Sequence, residues 1–484
     1  MSITGALNNA MSGLRAAGRA SELVSSNISN ALTPGYGRRV LALSTSAIGD
    51  FGGVKIDGIT RMVNEGVASD KRLAEAKNNG AQLIADFFGR IEGLTGKPNE
   101  AFSISARMAA FESGLISASS RPDAPERLAG SVSDAKALIA SLSDASDGIQ
   151  KARTAADSQI SRDVKQLNTG LEQLQMLNSQ ITSSQVRGSD TASLMDQRQQ
   201  VVDRIGALVQ IRTVPRDNGQ IAIYTEGGAI LLDGSAIEVG FTSANVVTAY
   251  QSVGAGTLSG MTINGLPIRS DSQTGPLRGG SIGAQFAIRD EYGPTAQRQI
   301  DALARDLVER FQDPTIDTTL APGDPGLFTD GGVAFDPLDE VGLSQRLTLN
   351  AAVDPDQGGE AFRLRDGLNA TIPGYSGDAS LLNTLRETLN TTRIPASGSF
   401  GGGSFSAVNL VSALTSQFGA ERTESERLLS FSSARLGELT EQLLADGVDT
   451  DRELQHLMLL EQSYAANARV HEAVDEMMQT IMRI

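Results

Sequence analysis

The sequence predicts a mainly α-helical protein with an inserted β domain (α+β). It reads as an elongated rod of stacked domains, with paired, coiled-coil-like N- and C-terminal helices, a long helical bundle as shaft and a small distal β-rich domain. Three observations carry this. Apolar residues recur at alternating steps of four and three at both ends of the chain, a longer near-heptad run fills residues 125–188, and short β-prone runs divided by glycine pairs occupy residues 211–283.

At the N-terminus the repeat is Ile3, Leu7, Ala10, Leu14, Ala17, Val24, Ile28 and Ala31, with Ser21 interrupting; at the C-terminus it is Leu457, Leu460, Tyr464, Val474, Met478 and Ile481, with Asn467 and His471 in the polar slots. Such spacing puts one narrow apolar seam on each helix, and a seam must be covered by another helix. The termini can cover each other within one molecule. That pair would be thin, because two helices of roughly 30 residues reach about 45 Å and leave most of their surface wet, and alanine at three positions of the first seam buries little apolar area. Partners from other chains would cover the remainder.

The first helix is expected to stop near Leu32, since Pro34 pushes the preceding residue out of the helical region and Gly35 and Gly37 favour a turn. Residues 38–60 alternate weakly, with Gly52 and Gly53 in a turn, and read as an extended or hairpin-like linker. Helical periodicity returns over about Val63–Leu94 and Ala101–Ser117. It runs again from Pro125 through Leu128, Val132, Leu138, Leu142, Ile149, Ile160, Leu167, Leu171 and Ile181 toward Gly188. Unbroken, that last helix would be about 90 Å long, with Gly148 and Gly170 as places where it could bend or split. Asp190 or Thr191 can cap a further helix to about Val209. From Ile211 the texture turns to β, with Gly227-Gly228 and Asp233-Gly234 as hairpin turns. Helix is expected again over Ile288–Phe311 and Val408–Ala445, and after a break at Asp446-Gly447 a final helix is capped by Asp449–Asp451. Residues 313–403 read as loops with short strands and one helix near Leu381–Leu389.

The expected domains are therefore 1–33 with 450–484 as the terminal pair, 34–210 with 284–312 and 404–449 as the shaft, 211–283 as the β insert, and 313–403 as an irregular region on the shaft or the β domain. Helices go out and helices come back, which sets both termini at one end and the insert at the other.

Composition excludes more than it proposes. Lys and Arg number 41 against 57 Asp and Glu, a net charge of −16 that repels phosphate backbones and anionic membranes. Cysteine is absent, which removes disulfides, thiolate nucleophiles and cysteine metal sites. No basic start with an apolar core and small-residue cleavage site is visible, and no stretch approaches the length of a membrane span. His456 and His471, about four turns apart, cannot share a metal within one chain. Gly96-Lys97 fails as a phosphate loop, with Ile91 and Pro98 at required positions. Asp354, Asp356 and Gly359 fail as a calcium loop, with Gly358 at position five and Arg365 at position twelve, so a turn explains them better. No catalytic residue, cofactor or metal site is expected.

Ser26-Asn27-Ile28-Ser29-Asn30-Ala31-Leu32-Thr33-Pro34-Gly35-Tyr36 closely resembles the N-terminal signature of the bacterial flagellar axial proteins, which form the rod, the hook and the hook-filament junction. Glu461-Gln462-Ser463-Tyr464-Ala465-Ala466-Asn467-Ala468-Arg469-Val470 resembles the matching C-terminal signature. Leu194-Met195-Asp196-Gln197-Arg198 is similar to the segment leading into the β domain of the junction members, and Gly53-Val54, Gly58-Ile59, Arg61, Gly279–Gly283 and Arg289-Asp290 share the family's texture. His471 departs from it, standing where the family has an apolar residue.

The resemblance implies a non-enzymatic structural component of the extracellular flagellum that joins hook to filament by subunit packing and is needed for filament assembly and motility. It implies export through the flagellar type III channel without a cleaved signal. It implies partners too: further copies of the chain in a ring or helical assembly, the hook protein, a second junction protein on the filament side, and the export chaperone and apparatus. Asn27, Asn30, Thr33, Pro34, Gly35, Tyr36, Gln462, Tyr464 and Asn467 are the motif positions, and Asn27 and Asn30 either hold the turn or contact a partner. A hook or distal rod protein would go into β-structure early, whereas residues after 60 read helical. A surface hydrolase on a helical stalk would need an acidic pair hidden in residues 313–403.

Overall fold

The computed structural model describes residues 3–45, 52–97, 99–272 and 274–483. The chain sets out through α1 (Ile3–Ser29), the antiparallel strands β1 (Arg38–Thr45) and β2 (Val54–Met62), and α2 (Glu65–Thr95). The hairpin reading of residues 38–60 spans 46–51, which lie outside the described residues. Next come α3 (Ile104–Ser120), α4 (Pro125–Val186) and α5 (Ala192–Leu208). Asp190 caps α5, its Oδ1 accepting from the backbone N–H of Ala192 at 2.9 Å.

Helix α4 is the spine. Its 62 residues run unbroken over about 93 Å. Gly148 and Gly170 do not split it; they admit neighbours, since a Cβ on Gly148 would lie 2.1 Å from a Leu94 methyl and one on Gly170 2.9 Å from Ile205. Two cores are strung along it. One joins its N-terminal half to α3, α7 (Gly293–Phe311), residues 313–403 and the start of α11 (Ala407–Ala445). There Phe111, Phe311 and Phe328 meet edge to face, with centroids 5.3–6.4 Å apart. The other gathers Ile160, Leu167, Leu171 and Leu174 against α5 and the β insert. Each such fully buried side chain contributes about 1.5–3 kcal/mol.

The insert consists of β3 (Ile211–Pro215), β4 (Ile221–Thr225), β5 (Ile230–Asp233) and β6 (Ser235–Ala236) in one antiparallel sheet, and β7 (Val239–Gly240), β8 (Thr262–Ile263) and β9 (Leu266–Pro267) in another. Where the out-and-back order puts this insert at the far end, the structure lays it along the side of the shaft. Asn178 donates to the Ile221 carbonyl and Asn168 to that of Val239, both at 2.8 Å, and Asp157 accepts from the Ala244 N–H at 2.7 Å, so α4 supplies partners for strand ends along its own length. The far end belongs to residues 313–403, which carry β10 (Phe328–Asp330), α8 (Leu343–Arg346), β11 (Leu347–Leu349), α9 (Arg363–Asp366) and α10 (Ser380–Asn390) on the core of Phe111 and Phe328.

Helix resumes earlier than periodicity indicates, at α6 (Gly280–Ala287) rather than Ile288. Gly280 starts it at φ +63° because the backbone of Leu208 passes so close that a Cβ would lie 2.3 Å from its carbonyl oxygen. A π-turn at Ile288–Tyr292 joins α6 to α7 and turns Arg289 inward, fully buried, onto Asp157 at 2.7 Å. Arg153, also buried, donates to the carbonyls of Arg289, Thr248 and Gln251; burial lowers its pKa to about 10, so it stays charged at neutral pH. These two cations bind the insert to the spine. The chain then returns through α11 beside α2, and Asp449 caps α12 (Thr450–Arg483) by accepting from the N–H groups of Asp451 and Arg452.

Replacing Gly280 by alanine should lower stability by about 1–3 kcal/mol through overlap with the Leu208 carbonyl. Denaturant titration measures this, and an unchanged midpoint would refute the close approach.

Candidate assembly site at the paired termini

Helix α1 packs on α12, antiparallel, with Gly13 beside Asn467 and Asn27 beside Glu453. The α1 face in contact is Ala10, Gly13, Ala17, Ala20, Val24 and Asn27, nearly all small. A Cβ on Gly13 would lie 2.8 Å from the Asn467 amide, so small residues let the helices come close. Ala10, Ala17 and Val24 of the seam read in the sequence lie in this face, and Gly13, Ala20 and Asn27 take the places of Leu14, Ser21 and Ile28. Val24 is buried, but Ile3, Leu7, Leu14 and Ile28 are half-buried at the rim. On α12, Val474 is buried and Leu457 and Leu460 half-buried, while Tyr464, Met478 and Ile481 keep 50%, 42% and 58% of their surface exposed. One thin partner leaves the seam partly open.

The N-terminal motif builds the joint between this pair and the shaft. Asn27, 1% exposed, accepts on Oδ1 from the Tyr36 hydroxyl (2.8 Å) and the Arg39 N–H (2.9 Å), and donates from Nδ2 to the Arg39 carbonyl (2.9 Å) and to Glu453 (3.1 Å). Glu453, equally buried, takes Arg38 Nε at 2.6 Å. Asn30 donates to the Ser26 carbonyl and accepts from Thr33, closing the turn. Gly35 at φ +79° packs on Gln200, which donates to the Pro34 carbonyl at 2.9 Å. Asp196 on α5 then accepts from the Gly37 N–H (3.0 Å), Arg39 (2.8 Å) and Arg61 (2.8 Å). At the C-terminal motif, Asn467 donates to the Ser463 carbonyl at 2.9 Å and Gln462 is exposed. Sequence reasoning assigned no role to Arg38, Arg39, Asp196 or Glu453. The available signal was two adjacent arginines directly after the turn of an acidic chain, which require anions from elsewhere in the fold.

Elsewhere the acidic and basic groups serve the fold. Asp354 caps a short turn and receives Lys136 at 2.9 Å, and Gly96 ends α2 against Ser103. Pro98, on which the phosphate-loop test turned, lies outside the described residues. A cleft beside residues 313–403 is lined by Asp301, on α7, and Glu340. Burial raises the Asp301 pKa, but its oxygens accept from Gly342 N–H, Ser344 N–H, the Ser344 hydroxyl and Gln297, and Glu340 is tied to Arg305 and Ser397. Among the described residues no group of three or more His, Cys, Asp or Glu is placed to hold a metal, and no helix is long and apolar enough to cross a membrane.

The geometry defines a class: a chain whose two ends form one helical unit, keyed into a long helical shaft and left with open apolar surface. The same parts match known families. A model described as the flagellar hook-associated protein FlgK helical domain matches residues 88–319, the flagellar basal body rod FlgEFG protein C-terminal model matches 443–484, and the flagella basal body rod protein model matches 7–36. All three are models of bacterial flagellar rod and hook proteins, and they match the chain's middle and both of its ends.

Curated relatives of the chain are named flagellar hook-associated protein 1. The one from Salmonella typhimurium is 25% identical over 319 residues, covering 63% of this chain and 55% of its own, so the match spans little more than half of that relative. The one from Bacillus subtilis is 21% identical over 518 residues, covering 98% of this chain and 97% of its own. A solved structure, the flagellar hook junction protein FlgK from Burkholderia pseudomallei, aligns at TM-score 0.42 and 21% identity over 55% of this chain and 47% of that one.

Glu453→Ala should cost about 1–3 kcal/mol locally, because it strands Asn27 Nδ2 and Arg38. Hydrogen exchange should rise over residues 27–40 and 453–460 and stay unchanged around Leu138 and Leu142. Equal protection at both ends of the comparison would show that Glu453 does not hold the joint.

Proposed function

We propose that this chain is a structural component of the bacterial flagellum that joins the hook to the filament by subunit-subunit packing, with no catalysis. The observation that carries the reading is the terminal pair itself: the two ends of the sequence pack as one pair joined at Asn27 and Glu453, and the pair still exposes Tyr464, Met478 and Ile481. Ile3, Leu7, Leu14, Val24, Ile28, Leu457, Leu460, Tyr464, Val474, Met478 and Ile481 then form or flank subunit-packing seams. Further copies of the chain, the hook protein and a second junction protein on the filament side are the partners this surface fits. Delivery by an export chaperone and the flagellar export apparatus, to the cell exterior, completes the reading.

A hook or distal rod role is the second reading, favoured by the rod-protein names of the two terminal models. Helix from Glu65 through Leu208, broken only at short turns, supports the junction instead.

Deleting residues 3–20 or 465–483 should leave a shaft that melts cooperatively, because both cores lie outside those segments. Such variants should fail to assemble and should abolish swimming in soft agar. Normal motility from either truncation would overturn the proposal.

A further inference from the structure

Helices α2, α4 and α6 meet on the side of the shaft around an open cleft of about 310 Å³. Its floor is Ala152, Ala155 and Ala156, which stand at i, i+3 and i+4 on one face of α4, and whose methyl groups leave the space between the helices unfilled. Phe87 of α2 and Ile288, just past α6, close its sides, and both are buried members of the core around Phe111. The interior of the cleft is therefore apolar.

Three polar side chains face it. Gln285 of α6 is only 8% exposed, yet neither end of its amide hydrogen-bonds to a described residue. A buried amide without a partner is costly, and the open side of this one is the cleft. At the rim stand Arg90 and Arg162, both exposed. Arg90 has no ion pair among the described residues, and the Arg162 guanidinium donates only to Gln159 Oε1, at 3.0 and 2.6 Å. The neighbouring carboxylates already accept from others. Asp86, at the rim, takes the Gln82 amide at 2.8 Å, and Asp163, outside the lining, takes the Gln159 amide and the Ser281 hydroxyl, both at 2.6 Å. In a chain of net charge −16, two guanidinium groups without a carboxylate at the mouth of one cleft make a place for an anion.

We infer that this cleft binds a small carboxylic acid as its anion. The carboxylate oxygens accept from Gln285 Nε2 and from the Arg90 and Arg162 guanidinium groups, and a short apolar body lies on the three alanines. The volume is at the lower end for ligand pockets and suits a chain of about six carbons. Because the walls come from three helices, the bound acid holds α2, α4 and α6 together and stabilises the folded chain by mass action. The cleft shares no residue with the terminal pair, so ligand binding and flagellar assembly are separate readouts.

Hexanoate titrated into the full-length chain, followed by calorimetry and by thermal melting, tests this. Binding should saturate with a dissociation constant of about 1 mM or below, and the melting temperature should rise with hexanoate. Hexan-1-ol, of similar shape but uncharged, should bind at least about tenfold more weakly. Arg90→Ala should weaken hexanoate binding about tenfold without changing the melting of the free chain, because Arg90 is exposed and unpaired. Ala155→Leu, at an exposed position of the floor, should block binding by filling the space. Gln285→Leu should weaken binding about tenfold, while the free chain melts no lower than the parent because an unpartnered amide has been removed. A lower melting temperature for that variant would make Gln285 a structural residue and overturn its assignment to the ligand. No saturation below about 10 mM, hexan-1-ol binding as tightly as hexanoate, or undiminished binding in Arg90→Ala and Ala155→Leu would overturn the inference.

Discussion

The buried contact between Asn27 and Glu453 is what the terminal architecture depends on. These residues lie at opposite ends of the sequence, each about 1% exposed, and their hydrogen bond joins the outgoing helix, the returning helix and the first strand at one point. A buried carboxylate is costly unless charge and hydrogen bonds compensate it, and here Arg38 and the Asn27 amide do so. Asn27 uses its amide on both sides, so no other side chain of that size could serve both the strand and Glu453. Asp196 continues the chain of charges through Arg39 and Arg61 into the shaft.

The shaft obeys a simpler constraint. A helix of about 93 Å cannot be stabilised by its own propensity, so both cores are distributed along α4 and each neighbouring element borrows its register from it. The β insert does so through Asn168, Asn178 and Asp157, and the buried pair of Arg153 and Arg289 locks the π-turn where insert, α6 and α7 meet. Energy in the shaft is apolar burial; polar groups fix which element lies where.

At the termini the balance is reversed. Alanine and glycine on α1 bury little area, so the pair is held by close approach and by the joint at its base, and apolar residues are left over on α12. In a chain of net charge −16, uncovered methionines and leucines at one end are the surface on which the proposed assembly role rests.

Much of this was legible in the residues. Periodicity of 3.5–3.6 placed the helices within a few residues, Asp190 and Asp449 marked two caps, and the N-terminal motif marked the joint, because these signals act over one or two turns of chain. The presence of Gly13, Ala20 and Asn27 in the α1 contact where the seam has Leu14, Ser21 and Ile28, the early start of α6 at Gly280 and the lateral position of the β insert were not legible. Each depends on what approaches from far along the chain: Asn467 against Gly13, the Leu208 carbonyl against Gly280, and α4 amides beside strand ends. The sequence by itself determined helix, turn and cap, since hydrogen bonds within a helix and the φ of proline are local. Only the tertiary structure decided which face of each helix is covered and which charges are buried, because burial is a property of neighbours that local sequence does not contain.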